Sequence, residues 1–179
     1  APVAEERKFA FSWNIAGTSD YIFRGFSQSA RDPAWQVGAD ISYGILYAGV
    51  WSSRIDFGDD TPGKNVATAE VDLYAGIKPV WGPATFDFGV IYYAYPNAKD
   101  GTGHLFQELD YVELKGGVSG SFIPALDKLT MGYTAFYTWE GTNKTGAILT
   151  NEFMAAYELP KMWVFTPTLG GTLGYVIGF

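Results

Sequence analysis

ATAEVDLYAGIKPVWGPATFDFGVIYYAY, residues 67–95, is the stretch whose reading decides the fold. Ala67, Ala69, Val71, Leu73, Ala75 and Ile77 share one parity, and Thr68, Glu70, Asp72, Tyr74 and Lys78 share the other. A β-strand sends successive side chains to opposite faces, so this half is a strand with one apolar and one charged face. The Pro79-to-Pro83 segment stops it, because proline donates nothing to a ladder and Gly-Pro marks a turn. The pattern then resumes, with Phe86, Phe88, Val90 and Tyr92 facing away from Thr85, Asp87 and Gly89. Each run is about 11 residues, the length a tilted strand needs to cross a bilayer.

The same rhythm extends outward from this hairpin. Phe9 to Gln28 alternates and reads as one long strand whose far end stands above the membrane, with Asp20 and Arg24 on its polar parity. Ala34 to Tyr43 sets Trp35, Val37, Ala39 and Ile41 against Gln36, Asp40 and Ser42. In a third strand, Tyr47, Gly49, Trp51, Ile55 and Phe57 oppose Ser52, Arg54 and Asp56. A sixth places Val112, Leu114, Val118 and Phe122 on one face, with Glu108 and Asp110 on the same parity nearer the loop. That strand is expected to enter hydrocarbon only near Tyr111, or to carry a bulge in its glycine-rich part. Strands from Leu129 to Trp139, Leu149 to Glu158 and Phe165 to Phe179 complete nine.

Connections alternate between long polar loops and short proline-rich turns, the asymmetry of outer-membrane barrels. Trp35, Tyr95 and Trp139 fall at the loop ends and Trp81 and Trp163 at the turn ends, as two interfacial girdles require. The expected fold is an all-β, antiparallel up-and-down transmembrane β-barrel spanning residues 1–179 as one domain. Single-chain bacterial barrels close with an even strand number, so a total of ten to twelve is expected in the complete protein. A soluble sandwich or lipocalin-like barrel would also alternate. Against it stand the many large aromatics on the apolar faces and the Gly, Ser and Thr that replace Lys and Glu on the opposite ones.

Composition limits the function. No run of 18 apolar residues exists, so no transmembrane helix is expected. A formal net charge of −7 disfavours nucleic acid as a partner, and the absence of cysteine removes disulfides and thiolate metal sites. The chain opens Ala-Pro-Val-Ala, the kind of end a signal peptidase leaves. His104, the only histidine, lies near Asp100, Glu108 and Asp110, and a loop histidine without catalytic work is the simpler reading than a rim hydrolase. Asp59, Asp60 and the Asp100–Gly103 segment lack the spacing of a calcium loop. No enzyme activity, cofactor or metal is expected.

The polar faces carry the candidate functional set: Asp20, Asp40, Asp56, Glu70, Asp72, Asp87, Glu113 and Glu152 against Arg24, Arg54, Lys78 and Lys115. These charges either line an aqueous path or pair and fill a narrow barrel. Arg54 and Glu70 are expected to oppose each other across a strand pair.

TSDYIFRGFSQ (18–28), YAGVWSS (47–53) with IDFG (55–58), and EVDLYAG (70–76) resemble the TorF-type porin family of proteobacterial outer-membrane proteins. The resemblance covers the N-terminal half by these blocks and the remainder by strand rhythm. Family members continue through further strands to their C-terminus, so C-terminal strands are expected beyond these nine. The resemblance implies a bacterial outer-membrane barrel in contact with lipid and no catalytic residues; with acids outnumbering bases on the polar faces, the expected function is a porin or narrow channel for small, cationic solutes. The alternatives are a non-conducting structural or surface-interaction barrel and, less favoured, an outer-membrane enzyme.

Overall fold

The computed structural model describes residues 8–61, 64–96, 98, 109–140 and 146–179. In chain order its strands are β1 (Phe9–Thr18), β2 (Ile22–Phe23), β3 (Phe26–Ser27), β4 (Ala34–Tyr43), β5 (Leu46–Arg54), β6 (Asp59–Thr61), β7 (Lys64–Asn65), β8 (Ala69–Ile77), β9 (Val80–Trp81), β10 (Ala84–Ala94), β11 (Tyr111–Gly120), β12 (Leu129–Thr138), β13 (Ile148–Glu158) and β14 (Thr168–Gly178). Nine long strands form one antiparallel meander, β1-β4-β5-β8-β10-β11-β12-β13-β14, and β9 adds a short tenth member by pairing with β10. The fold is therefore all-β, and among the described residues the one helical piece is a 3-10 turn at Pro124–Leu126.

The alternation of β8 and β10 is realised as read. Val71, Leu73, Ala75 and Ile77 pair with Ala94, Tyr92, Val90 and Phe88 on the outer face, while Asp72 and Tyr74 pair with Tyr93 and Ile91 on the inner. The outer face is exposed and apolar across the sheet, with Ile41, Leu46, Val50, Leu73, Phe88, Val90 and Leu114 all on it. The inner face is curled around its own contents. The β2–β3 hairpin, which leaves the sheet between β1 and β4, reaches β11 several strands away. Among the described residues β1 and β14 each have one partner, so the sheet ends in two free edges and is not closed.

Several sequence expectations need correction. Phe9 to Gln28 is not one strand: β1 ends at Thr18, whose hydroxyl donates to the Asp20 carbonyl at 2.7 Å. The chain then doubles back at Arg24 and Gly25, with φ of 49° and 88°. Positive φ at both central residues is what a two-residue hairpin turn needs. The third strand faces the opposite way from its reading. Gly44 (φ 57°) and Ile45 form a two-residue turn that pairs Tyr43 with Leu46, which puts both on the outer face. Tyr47, Gly49 and Trp51 therefore point inward and Arg54 outward. Ser53, and not Arg54, lies opposite Glu70.

Tyr95 does not join an outer girdle; it is buried beside Phe57, with ring centroids 5.5 Å apart. Phe165 lies outside β14, in a turn bridged to Met162. β11 begins at Tyr111 and keeps unbroken register through Gly116 and Gly117, so no bulge is present and Asp110 lies beyond the strand. The buried apolar cluster of Tyr21, Ala34, Ile55, Ala67, Tyr93 and Tyr95 sits under the long-loop end of the sheet.

Candidate functional site

The inner face has two halves. At the long-loop end, Arg24 enters from the hairpin tip and meets Glu113 of β11 in a two-pronged pair. Its Nη1 and Nη2 donate to Oε1 and Oε2, each at 2.8 Å. Such forked pairs combine charge with fixed geometry. Arg24 Nε stands 3.6 Å from Glu152 of β13, and the guanidinium lies between the rings of Phe23 and Phe136, 4.6 and 4.8 Å from their centroids. Glu113 is only 2% exposed and also accepts from Tyr93 Oη at 3.0 Å and Thr138 Oγ1 at 3.2 Å. Burial works against the Arg24 charge, but the bonds and charge of Glu113 outweigh it and hold its pKa above the usual arginine value.

Beside this pair, Tyr21 donates to Glu70 Oε1 at 3.2 Å and packs edge-on against Trp51. Burial first, and the neighbouring Glu70 and Asp72 second, raise the Tyr21 phenol above its usual pKa, so it stays a donor. Asp72 faces the same space, and its Oδ1 is buried without a hydrogen-bond donor.

At the short-turn end the interior opens into a cavity of about 700 Å³ lined by Asp40, Tyr47, Tyr74, Lys78, Ile91 and Lys115, among others. Two tyrosines span the sheet like struts. Tyr74 of β8 donates to Asp40 of β4 at 2.6 Å, and Tyr47 of β5 donates to Asp87 of β10 at 2.7 Å. Asp87 also holds Lys115 Nζ at 2.6 Å and Lys78 Nζ at 3.9 Å, the latter 4.5 Å above the Tyr47 ring.

Glycines make room for the struts. A Cβ on Gly49 would lie 2.5 Å from the Tyr74 ring, and one on Gly76 would lie 2.4 Å from the Phe88 carbonyl and 2.6 Å from Tyr47 Oη. Gly76→Ala is therefore expected to destabilise the fold by about 1–3 kcal/mol through overpacking. The urea midpoint of the refolded protein measures this, with exposed Gly171→Ala as the control, since a Cβ there meets nothing.

Of the sequence-read candidates, Asp40, Glu70, Asp72, Lys78, Asp87, Glu113, Lys115 and Glu152 share the inner face, and Arg24 reaches it by way of the hairpin. Three do not line the interior. Asp20 accepts from Ser27 and Ser29 within its own loop, at 2.7 and 2.9 Å. Asp56 accepts from the Gly58 amide, and Arg54 contacts Asp56 at 3.7 Å and the Pro33 carbonyl at 3.1 Å on the exterior. The tyrosines that organise the charges, Tyr21, Tyr47, Tyr74 and Tyr93, were absent from the sequence-read set. Their signal was the inward parity that Tyr74 shares with Asp72.

His104, Asp100 and Glu108 lie outside the described residues, as do the side chains of Asp59 and Asp60. Among the described residues no group of three or more His, Asp or Glu is arranged to hold a metal ion.

The family model described as "Bacterial protein of unknown function (Gcw_chp)" matches residues 4–175. The chain belongs to the Gcw_chp family. That match takes in the whole sheet but for the last three residues of β14, so the Gcw_chp chain's interior charges and outer apolar face fall within one family unit. No curated protein and no solved structure matches it.

Proposed function

We propose that this chain is a β-barrel of the bacterial outer membrane whose narrow, acid-rich interior passes small cations. The observation that carries the reading is the segregation of the sheet's two faces. Residues on strands of 9–11 members send exposed Leu, Val, Phe and Trp outward and nearly all charged side chains inward. Such strands have the length that crosses hydrocarbon at a tilt. A water-soluble sheet of this kind would place its charges on the exposed face and its apolar residues in the concavity.

Hydrocarbon does not tolerate unpaired strand edges. Both β1 and β14 run toward the long loops, so a ladder that joins them antiparallel requires a further strand running the other way. The resemblance of the TSDYIFRGFSQ, YAGVWSS and EVDLYAG blocks to TorF-type porins supports the same membrane environment.

Cation preference follows from the interior charges: Asp40, Glu70, Asp72, Asp87, Glu113 and Glu152 outnumber Arg24, Lys78 and Lys115. A narrow low-dielectric passage magnifies the resulting field. In planar bilayers under a KCl gradient, the reversal potential is expected to show cation selectivity that weakens as salt rises. Anion selectivity would overturn the assignment of the interior. The second reading, a non-conducting structural barrel, is favoured by one observation, the filled long-loop end around Arg24. It predicts no current at any salt concentration.

A further inference from the structure

We propose that the hairpin of β2 and β3 is a gate at the long-loop end of the interior, with Arg24 as both its latch and its selectivity-determining residue. The gating and selectivity rest on the pore reading above; the latch itself does not.

The hairpin is built to be held by its tip. Ile22 and Phe26 are more than half exposed and add no core, and each strand contributes only two residues. What fixes the tip to the sheet is Phe23 against Tyr93, with ring centroids 6.0 Å apart, and Arg24, forked onto Glu113 and also close to Glu152 and the Phe136 ring. The latch residue itself sits in the left-handed region at φ 49°, a conformation that costs an L-residue and is relieved when the turn relaxes. The base of the hairpin stays anchored as the tip moves. Gln28 N donates to Tyr21 O and Asp56 N to Gln28 O, each at 2.7 Å, and Tyr21 N donates to Ser29 Oγ at 3.0 Å. A tip held to the sheet through the contacts of Phe23 and Arg24, on a base tied by backbone bonds, is a hinged flap.

Closing and selecting use the same charge. With Arg24 in place, the hairpin tip fills the long-loop end and its guanidinium neutralises Glu113 and offsets Glu152. When it leaves, Glu113 and Glu152 are freed beside Glu70 and Asp72, and the same end becomes an acidic mouth. Opening therefore raises conductance and cation preference together.

The chain has no cysteine, so a single introduced thiol reports on access. Thr138→Cys places one beside Glu113, at a position 2% exposed. In vesicle-reconstituted protein, a small charged methanethiosulfonate added to the loop side is expected to label Cys at 138 slowly with Arg24 present. Labelling should be several-fold faster in Arg24→Ala. Arg24→Ala/Glu113→Gln, which removes the carboxylate that Arg24→Ala alone would strand, should also label fast, and the swapped pair Arg24→Glu/Glu113→Arg should return to slow labelling. Bilayer recordings of the same set should show higher current and stronger cation preference wherever labelling is fast. Equal labelling rates with and without Arg24 would overturn the gate, whether or not the barrel conducts. Unchanged current in a conducting barrel would overturn it as well. Fast labelling without current in any variant would support the latch while sinking the pore reading.

Discussion

Tyr93→Ala is expected to lower the unfolding free energy by about 3–5 kcal/mol, the range for removing a large buried ring from a core. The ring is 4% exposed and stacks on Tyr111 with centroids 4.4 Å apart, so its loss leaves a hole that two strands already in register cannot collapse to fill. The phenol adds a second cost, because its hydroxyl is one of the donors that solvate the buried Glu113 carboxylate. Tyr93→Phe separates the two effects. It keeps the ring and removes only a hydrogen bond to a charged group, worth about 1.5–3 kcal/mol. Reversible urea unfolding in lipid or detergent, followed by tryptophan fluorescence, measures both variants. If Tyr93→Phe is as harmful as Tyr93→Ala, the ring stack contributes nothing and the polar network alone holds this end together. If neither matters, the long-loop core is not the stabilising centre that its burial indicates.

How much of this was legible in advance depends on the range of the interaction that fixed each residue. β8 and β10 were readable because a strand's period of two is local and because Glu70, Asp72 and Asp87 mark one face unambiguously. β5 misleads for an equally local reason: its tyrosine and tryptophan pass for apolar residues, and the parity they suggest is the wrong one. The turn held the better signal. With two residues at Gly44-Ile45, Tyr43 and Leu46 must share a face, and Tyr47 must then turn inward. Arg24 was placed among the interior charges, but by the wrong route. The Arg24-Gly25 step inside an otherwise alternating run is a turn signal, and it converts a protruding strand into a hairpin folded over the sheet. What no local pattern carried is the partner choice. Arg24 meets Glu113 89 residues away, and Tyr21 meets Glu70 49 residues away. Those pairings exist only once the sheet has curled.

The two faces can be set against each other at neighbouring positions of one strand. Leu73 is 45% exposed on the outer face of β8, paired with Val50 and Tyr92, whereas Asp72 points inward beside Glu70. In a bilayer, Leu73→Arg puts a guanidinium into hydrocarbon and is expected to cost about 2–4 kcal/mol near the midplane, with less toward either interface. Asp72→Asn leaves a polar group in a polar interior and removes one of several crowded carboxylates, so its cost should be much smaller. Folding titrations into phosphatidylcholine vesicles compare the two directly. In a soluble sheet the ranking would invert, because an arginine on a water-facing surface costs little. The sign of the difference between these adjacent substitutions therefore tests the membrane itself: equal penalties, or a harmless Leu73→Arg, would remove the outer face from lipid and the channel reading with it.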